Sequence, residues 1–415
     1  MIHSLRAFQH RNFRLFFYGQ SLSLLGTWIQ QVAMSWLVYR MTGSPFLLGL
    51  TAFAGQIPIL LFAPLGGIWA DRFDRRKLLV ATQVLAMAQG LALALLGYTG
   101  LIQVWHIILM AAVLGVIMAL DTPIRQAFVP EMVPAKQDLP SAIALNGFMQ
   151  NAGRMIGPTI AGVLLAVSSE AFCFLVNGVS KIAVVAAVAL MRIETPAGKE
   201  SGAPLLRDFR EGVVYAWSLV PVRLLLPIVA LVSFMATPYQ ALMPIFASEV
   251  FQGDARMLGF LIGAAGFGGV AALIYLAARQ DVRGLSRLIV AGAAMTGLSL
   301  MVFAESKILW LSLIAITVTG FGTILNAVAV SMILQTIVAD EKRGRVMSFF
   351  TMAFLGVAPL GSLAAGSLAQ AIGAGHTLFI GGVCCVGGAI ALWRQLPRLR
   401  ANIREIYVRI GVITE

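Results

Sequence analysis

Charge is what this chain has least of: 12% of its 415 residues are acidic or basic, while 59% are hydrophobic and the mean hydropathy is +0.88. A soluble domain carries about 25% charged residues and about 45–50% apolar ones, so the composition excludes one. Cysteine is scarce too. Cys173, Cys384 and Cys385 all lie inside apolar stretches without metal-ligand spacing, where they act as small hydrophobes and fix no redox compartment. Carboxylates are missing from the middle of every long apolar run. Also absent are a phosphate-binding lysine loop, zinc-ligand spacing and a Ser, His and Asp set at one depth, which removes the common enzyme classes. The GFGGVA string at 266–271 fits a loose dinucleotide pattern but sits inside an apolar run with no strand before it, so helix packing explains it. Neither an enzyme nor a bound metal or cofactor is expected.

What the chain has instead is twelve long apolar runs between residues 15 and 393. About 20 apolar residues cross a bilayer core as a helix. A membrane β-barrel would show roughly ten-residue segments of alternating polarity, so the runs read as helices. The first residues carry arginines but no short apolar core with a cleavage site, so the first run reads as a retained anchor. One long polar interruption, from Glu194 and Pro196 through LLRDFREGVVYAW, divides the runs six and six. The predicted architecture is all-α. It has an N-terminal six-helix bundle over 1–191, a cytoplasmic linker with an amphipathic helix over 192–222, a C-terminal six-helix bundle over 223–393 and a basic tail over 394–415. In that tail Leu399, Ile403, Ile406 and Ile410 share one helical face, which suits a helix lying on the inner leaflet or a solvated, frayed end.

The net charge of +12 raises nucleic acid as a partner, and its distribution dismisses it. Nucleic-acid binding gathers bases around stacking aromatics. Here all 30 lysines and arginines except Arg40, Arg154, Lys181, Arg256 and Lys307 are spread over the loops and tails on one side of the runs. The positive-inside rule makes that side, and both termini, cytoplasmic, in an inner membrane.

The densest basic loop is GGIWADRFDRRKLL, between the second and third runs. Its glycine, Gly67, suits close backbone approach, and Asp71, Arg72, Arg75 and Arg76 stand where helix ends and carboxylates are in reach. These five residues resemble the cytoplasmic loop signature of the major facilitator superfamily of secondary transporters. That superfamily commonly has glycine where this chain has Asp74, and the DRFDRR form resembles the branch that includes the enterobactin exporter and macrolide-efflux-type proteins. The resemblance implies two pseudo-symmetric six-helix bundles with a substrate site near the membrane midplane. It also implies a gate latch, for which Asp121 at the inner end of the fourth run is the expected partner of Arg75; plain topogenic charge is the alternative. The halves echo each other 201 residues apart, Gly67 with Gly268 and Pro158 with Pro359, and Arg279, Arg283 and Arg287 form a degenerate second hinge.

In the fifth run Gly153, Gly157, Pro158 and Gly162 resemble the signature of facilitators that export by antiport. Glycine permits tight helix contact and proline loosens one backbone bond, which suits a rocking interface or simply a packing kink. Arg154 lies midway along the same run, where a lone charge costs at least about 2.5 kcal/mol and usually faces an aqueous cavity. Satisfaction at a helix interface is the alternative. Gln150 shares its face, and Lys181 is a second buried base, in the sixth run. The resemblance directs the cavity to helices one, four, seven and ten. The first run carries Gln20, Ser23, Thr27, Gln31 and Ser35, the seventh Ser233, Thr237 and Gln240, and the tenth Thr319, Thr323 and Asn326. The cavity candidates are Thr27, Gln31, Gln150, Arg154, Thr237, Gln240, Thr323 and Asn326, with the reservation that Ser and Thr often bond only their own helix.

The sequence thus predicts a monomeric exporter of a small amphiphilic molecule, such as a siderophore, macrolide or drug, working by alternating access. Proton coupling is implied by the resemblance, with Asp121 or His106 as carriers. A lysophospholipid or lipid carrier and a non-transporting sensor or scaffold are the competing readings.

Overall fold

A computed structural model describes residues 2–192, 217–279, 284–338 and 340–409, and every regular element among them is helical. After a 3-10 helix, Ile2–Gln9, come α1 (Arg11–Thr42), α2 (Pro45–Arg72), α3 (Arg75–Tyr98), α4 (Val104–Phe128), α5 (Leu139–Val167) and α6 (Glu170–Ala189). Local chemistry sets these limits. Gly43 ends α1 in the left-handed conformation, φ 59°, and Ser44 then caps α2 by accepting from the Leu47 N–H, with Pro45 in the first turn. Asp74 caps α3 by accepting the N–H groups of Arg76 and Lys77. Connections this short force neighbouring helices to run antiparallel.

The chain forms two compact units, Met1–Ser201 with Met243–Gly263, and Gly202–Leu242 with Ala264–Glu415. In the first, α2 packs on α4, α1 on α5 and α6, and α3 on α4 and α6. At the hinge end the helices close on a buried apolar plug that includes Phe13, Phe16, Leu79, Ile124, Phe128 and Met132. Lipid is as apolar as these side chains, so van der Waals fit rather than water exclusion holds the helices together.

The remaining helices are α7 (Val220–Met235), α8 (Tyr239–Ile245), α9 (Ala255–Ala277), α10 (Leu285–Glu305), α11 (Leu309–Ile337), α12 (Asp340–Thr351), α13 (Ala358–Ile372) and α14 (Ala374–Arg409). Two expected runs are broken. The seventh turns at Ala236, Thr237 and Pro238 and passes through a π-helical turn, Phe246–Val250. The eleventh passes through another, Met352–Gly356, just before Pro359. Proline supplies no N–H and disfavours helix for the residue before it, which is where both breaks fall or end.

Ten spans are long and apolar enough to cross a membrane, counting α7 to Val250 as one and Lys342–Ile372 as one. Helices α1 and α5, also long, are less apolar, because both carry polar stripes. With them the described residues supply the twelve helices of the predicted all-α membrane fold. The predicted amphipathic helix of the linker, and Arg283 of the second hinge, lie outside the described residues. The tail differs from both expectations: α14 runs without interruption through Pro397, with Leu396, Leu399, Ile403 and Tyr407 buried and Arg400 Nε donating to Ser286 Oγ at 3.4 Å. Apolar residues three and four apart give the helix a face that packs on its own unit, so it neither frays nor stands alone.

Candidate functional site

The hinge is built around Arg75. Its Nε donates to the Ala70 carbonyl at 2.8 Å and its Nη1 to Glu131 Oε1 at 2.6 Å, while Asp71 lies 3.6 Å from Nη2. Arg75 thereby ties the end of α2 to the turn after α4. The expected Arg75 to Asp121 pair is not formed. Asp121 lies seven residues, about 10 Å of helix, inside the end of α4. Its oxygens are taken by Thr82 Oγ1 at 2.8 Å, Gln83 Nε2 at 2.7 Å and an ion pair with Arg125 Nε at 3.3 Å. Arg76 Nη2 instead caps α6 at the Ala189 carbonyl, and Arg72 is exposed. The close approach assigned to Gly67 belongs to its neighbour. A Cβ on Gly66 would lie 2.6 Å from Pro123 Cγ and 2.8 Å from the Ala119 carbonyl, whereas one on Gly67 would meet nothing within 4 Å.

Beyond the plug, the first unit is threaded by buried polar side chains. Lys181, 1% exposed, spends its three donors on the Ser23 carbonyl at 3.1 Å, Ser23 Oγ at 2.9 Å and Thr27 Oγ1 at 2.6 Å. Ser23 Oγ donates to Gln83 Oε1 at 3.3 Å, and Gln83 Nε2 donates to Asp121. Every donor in this chain points from the ammonium toward the carboxylate, across α6, α1, α3 and α4. A second layer repeats the route: Asn177 Nδ2 donates to Gln30, Gln30 to Gln89, and Gln89 to the Met110 carbonyl. Gln30, Thr82, Gln83, Gln89, Glu131 and Asn177 were not among the sequence candidates. The signal was present, since Gln83, Gln89 and Asn177 interrupt apolar runs and Asn177 stands one turn before Lys181.

The predicted cavity set divides. Thr27 is committed to Lys181 inside the unit, and Gln31 is exposed. Thr323 bonds the Thr319 carbonyl and approaches Thr296 at 3.4 Å, while Asn326 donates to the Ile289 carbonyl, so both fasten α11 to α10. Gln240 donates to the Tyr239 hydroxyl at 3.2 Å, and Thr237 Oγ1 is buried with no hydrogen bond among the described residues. On α5, Gln150 and Arg154 are half-buried one turn apart, and Arg154 makes no hydrogen bond or ion pair among the described residues. Next to it, Gly153 and Gly157 seat α1: a Cβ on Gly157 would lie 2.5 Å from Trp28 Cβ, and one on Gly153 2.7 Å from Leu24 Cδ2. Pro158 is buried beside them. Gly162 meets the Ala255 carbonyl and Gly259 Cα, in the Met243–Gly263 segment of the same unit. That segment also brings Glu249 to the Tyr39 hydroxyl, which donates to it.

The described residues form a bundle of membrane-spanning helices whose buried polar side chains join in hydrogen-bonded networks, the build of an integral membrane protein. Its sequence matches the family described as transmembrane secretion effector over residues 2–406, and the chain belongs to that family, within the major facilitator superfamily. Among its relatives, the staphyloferrin A transporter of Staphylococcus aureus is 28% identical, over 94% of this chain and 98% of that one. Macrolide efflux protein A of Streptococcus pyogenes is 23% identical, over 94% and 99%. The multidrug efflux pump Tap of Mycobacterium tuberculosis is 28% identical, over 93% of each. The inward-open xylose transporter XylE of E. coli shares the fold, with a TM-score of 0.68 at 15% identity over 93% of this chain and 99% of that one. The protein is accordingly a multi-pass membrane transporter with a small-molecule substrate.

Proposed function

We propose that this protein is a proton-coupled exporter of a small amphiphilic molecule bearing anionic or acceptor groups, of the siderophore, macrolide or drug kind, acting as a monomer by alternating access. It sits in the inner membrane with the hinge and both termini in the cytoplasm. The observation that carries the reading is Arg154, a permanent cation midway along α5 with no partner among the described residues. A charge at that depth is costly unless something mobile meets it, and a passive scaffold has no reason to keep one. This reading assigns the coupling to Asp121, the 1% exposed carboxylate bonded to Thr82, Gln83 and Arg125.

The test is transport in liposomes. The parent protein should exchange labelled substrate from a siderophore, macrolide and drug panel and concentrate it when a pH gradient is imposed. Arg154→Ala should lose exchange at unaltered folding, and Asp121→Asn should keep exchange while losing the gradient-driven part. Absence of exchange across the whole panel sinks the exporter reading in favour of a scaffold, and exchange confined to lipids points to a lipid carrier.

A further inference from the structure

The first unit carries a groove of about 770 Å³ where α3 meets the end of α6. Its floor is an apolar strip of α3, with Val80 and Ala81 one turn before Val84 and Leu85, and its far lip is Ala189. Val84 and Leu85 are exposed side chains on a spanning helix, so the groove opens toward lipid. Arg76 and Lys77 stand at its mouth, at the hinge end. Two further bases stand beside the end of α6, outside the lining. Arg11 Nη1 donates to the Leu190 carbonyl at 3.1 Å beside the Arg76 bond to Ala189, and Arg192 follows, its backbone N–H held by Asn12 Oδ1 at 3.2 Å. The acid present, Asp74, has its Oδ1 engaged by the N–H groups of Arg76 and Lys77. Lys77 is exposed, and its ammonium has no partner among the described residues.

We propose that this groove binds an anionic phospholipid, with an acyl chain along Val80, Val84 and Leu85 and the phosphate between Lys77 and Arg76. Charge complementarity selects the occupant. In the lining, two bases against one capped acid favour a negative headgroup, and the strip below them, eight residues from Lys77 to Leu85 or about 12 Å of helix, suits hydrocarbon rather than a soluble anion. A long basic side chain reaching up to a headgroup while its stem covers apolar surface is the ordinary behaviour of lysine at a membrane interface. The site is independent of the substrate and of the exported class, since it uses none of Arg154, Gln150 or the Asp121 network. A filled groove would brace the Arg76 contact that fastens α3 to α6.

Native mass spectrometry of the full-length protein released from detergent tests the proposal, with phosphatidylglycerol, phosphatidylethanolamine and soluble glycerol phosphate offered separately. Phosphatidylglycerol should be retained as one adduct, and neither of the others should be. Lys77→Gln should weaken retention about fivefold, the share carried by one base near an anionic surface. Val84→Trp, which fills the groove from an exposed position, should abolish it while leaving thermal unfolding of the lipid-free protein unchanged. Equal retention of phosphatidylethanolamine, binding of glycerol phosphate alone, or full retention by both variants would each overturn the assignment. So would the absence of any adduct.

Discussion

Lys181 and Asp121 stand at opposite ends of one hydrogen-bonded line, yet substitution should treat them differently. Lys181 has neutral partners only, Ser23 and Thr27, whose hydroxyls also have their own helix to bond. Lys181→Met keeps the volume and removes a buried charge, so it should stay within about 1.5 kcal/mol of the parent in thermal unfolding. Asp121→Ala strands Arg125, 7% exposed, and should cost about 3–5 kcal/mol in the same measurement. A double-mutant cycle separates the hinge from this line: Arg75→Gln with Glu131→Gln should show a coupling of about 0.5–3 kcal/mol, while Arg75→Gln with Asp121→Asn should be additive. The sequence singles out Lys181, Asp121 and Arg75, but neither Arg125 nor Glu131. It did not mark their pairing, because Asp121 and Glu131 are both within one helix and its following turn, and only the depth of each relative to α3 decides which of them Arg75 meets.

At the level of helices, legibility followed periodicity. The polar face of α1 was visible, but the buried member near its middle is Gln30 and not Gln31, because 3.6 residues per turn bring position 30 back under Ser23 while 31 swings aside. The repeat shows a similar slip of one. Gly66 packs on α4, and Gly268 meets Thr317 of α11 in the corresponding place, so the glycine contact repeats at 202 residues rather than the 201 that Gly67 implied. Since neither glycine of the pair Gly66 and Gly67 has an unusual backbone, the sequence alone could not choose between them. Gly66→Ala should therefore cost about 1–3 kcal/mol through overpacking against Pro123, whereas Gly67→Ala should be neutral, as read by thermal unfolding in detergent. Breaks in the seventh and eleventh runs were announced by Pro238, Pro244 and Pro359 without their π-helical form being readable, since proline fixes where a ladder fails and not how the chain absorbs it.

For the whole molecule, the one-sided distribution of bases makes a topological prediction. In whole cells, single cysteines placed at Lys77 and Lys342 should resist an impermeant maleimide, and one placed at Lys307 should react; reaction at Lys77 would reverse the orientation. Cys173 and Cys385 are buried, which keeps the background low. The twelve-helix plan was readable from composition and run length because the bilayer imposes both. The internal networks were not, because in lipid a buried glutamine or asparagine is recognisable as costly but its partner is a matter of helix rotation. One contrast between the units bears on mechanics. Helices α1 and α5 run unbroken for 32 and 29 residues, while the seventh and eleventh runs, which follow them by about 201 residues, are interrupted by π-helical turns and a three-residue turn. A continuous helix resists bending, and a widened turn leaves carbonyls loosely held. The interrupted runs are thus the compliant elements and the continuous ones the stiff ones, and deuterium should enter the amides at 246–250 and 352–356 well before those in the middle of α1 or α5.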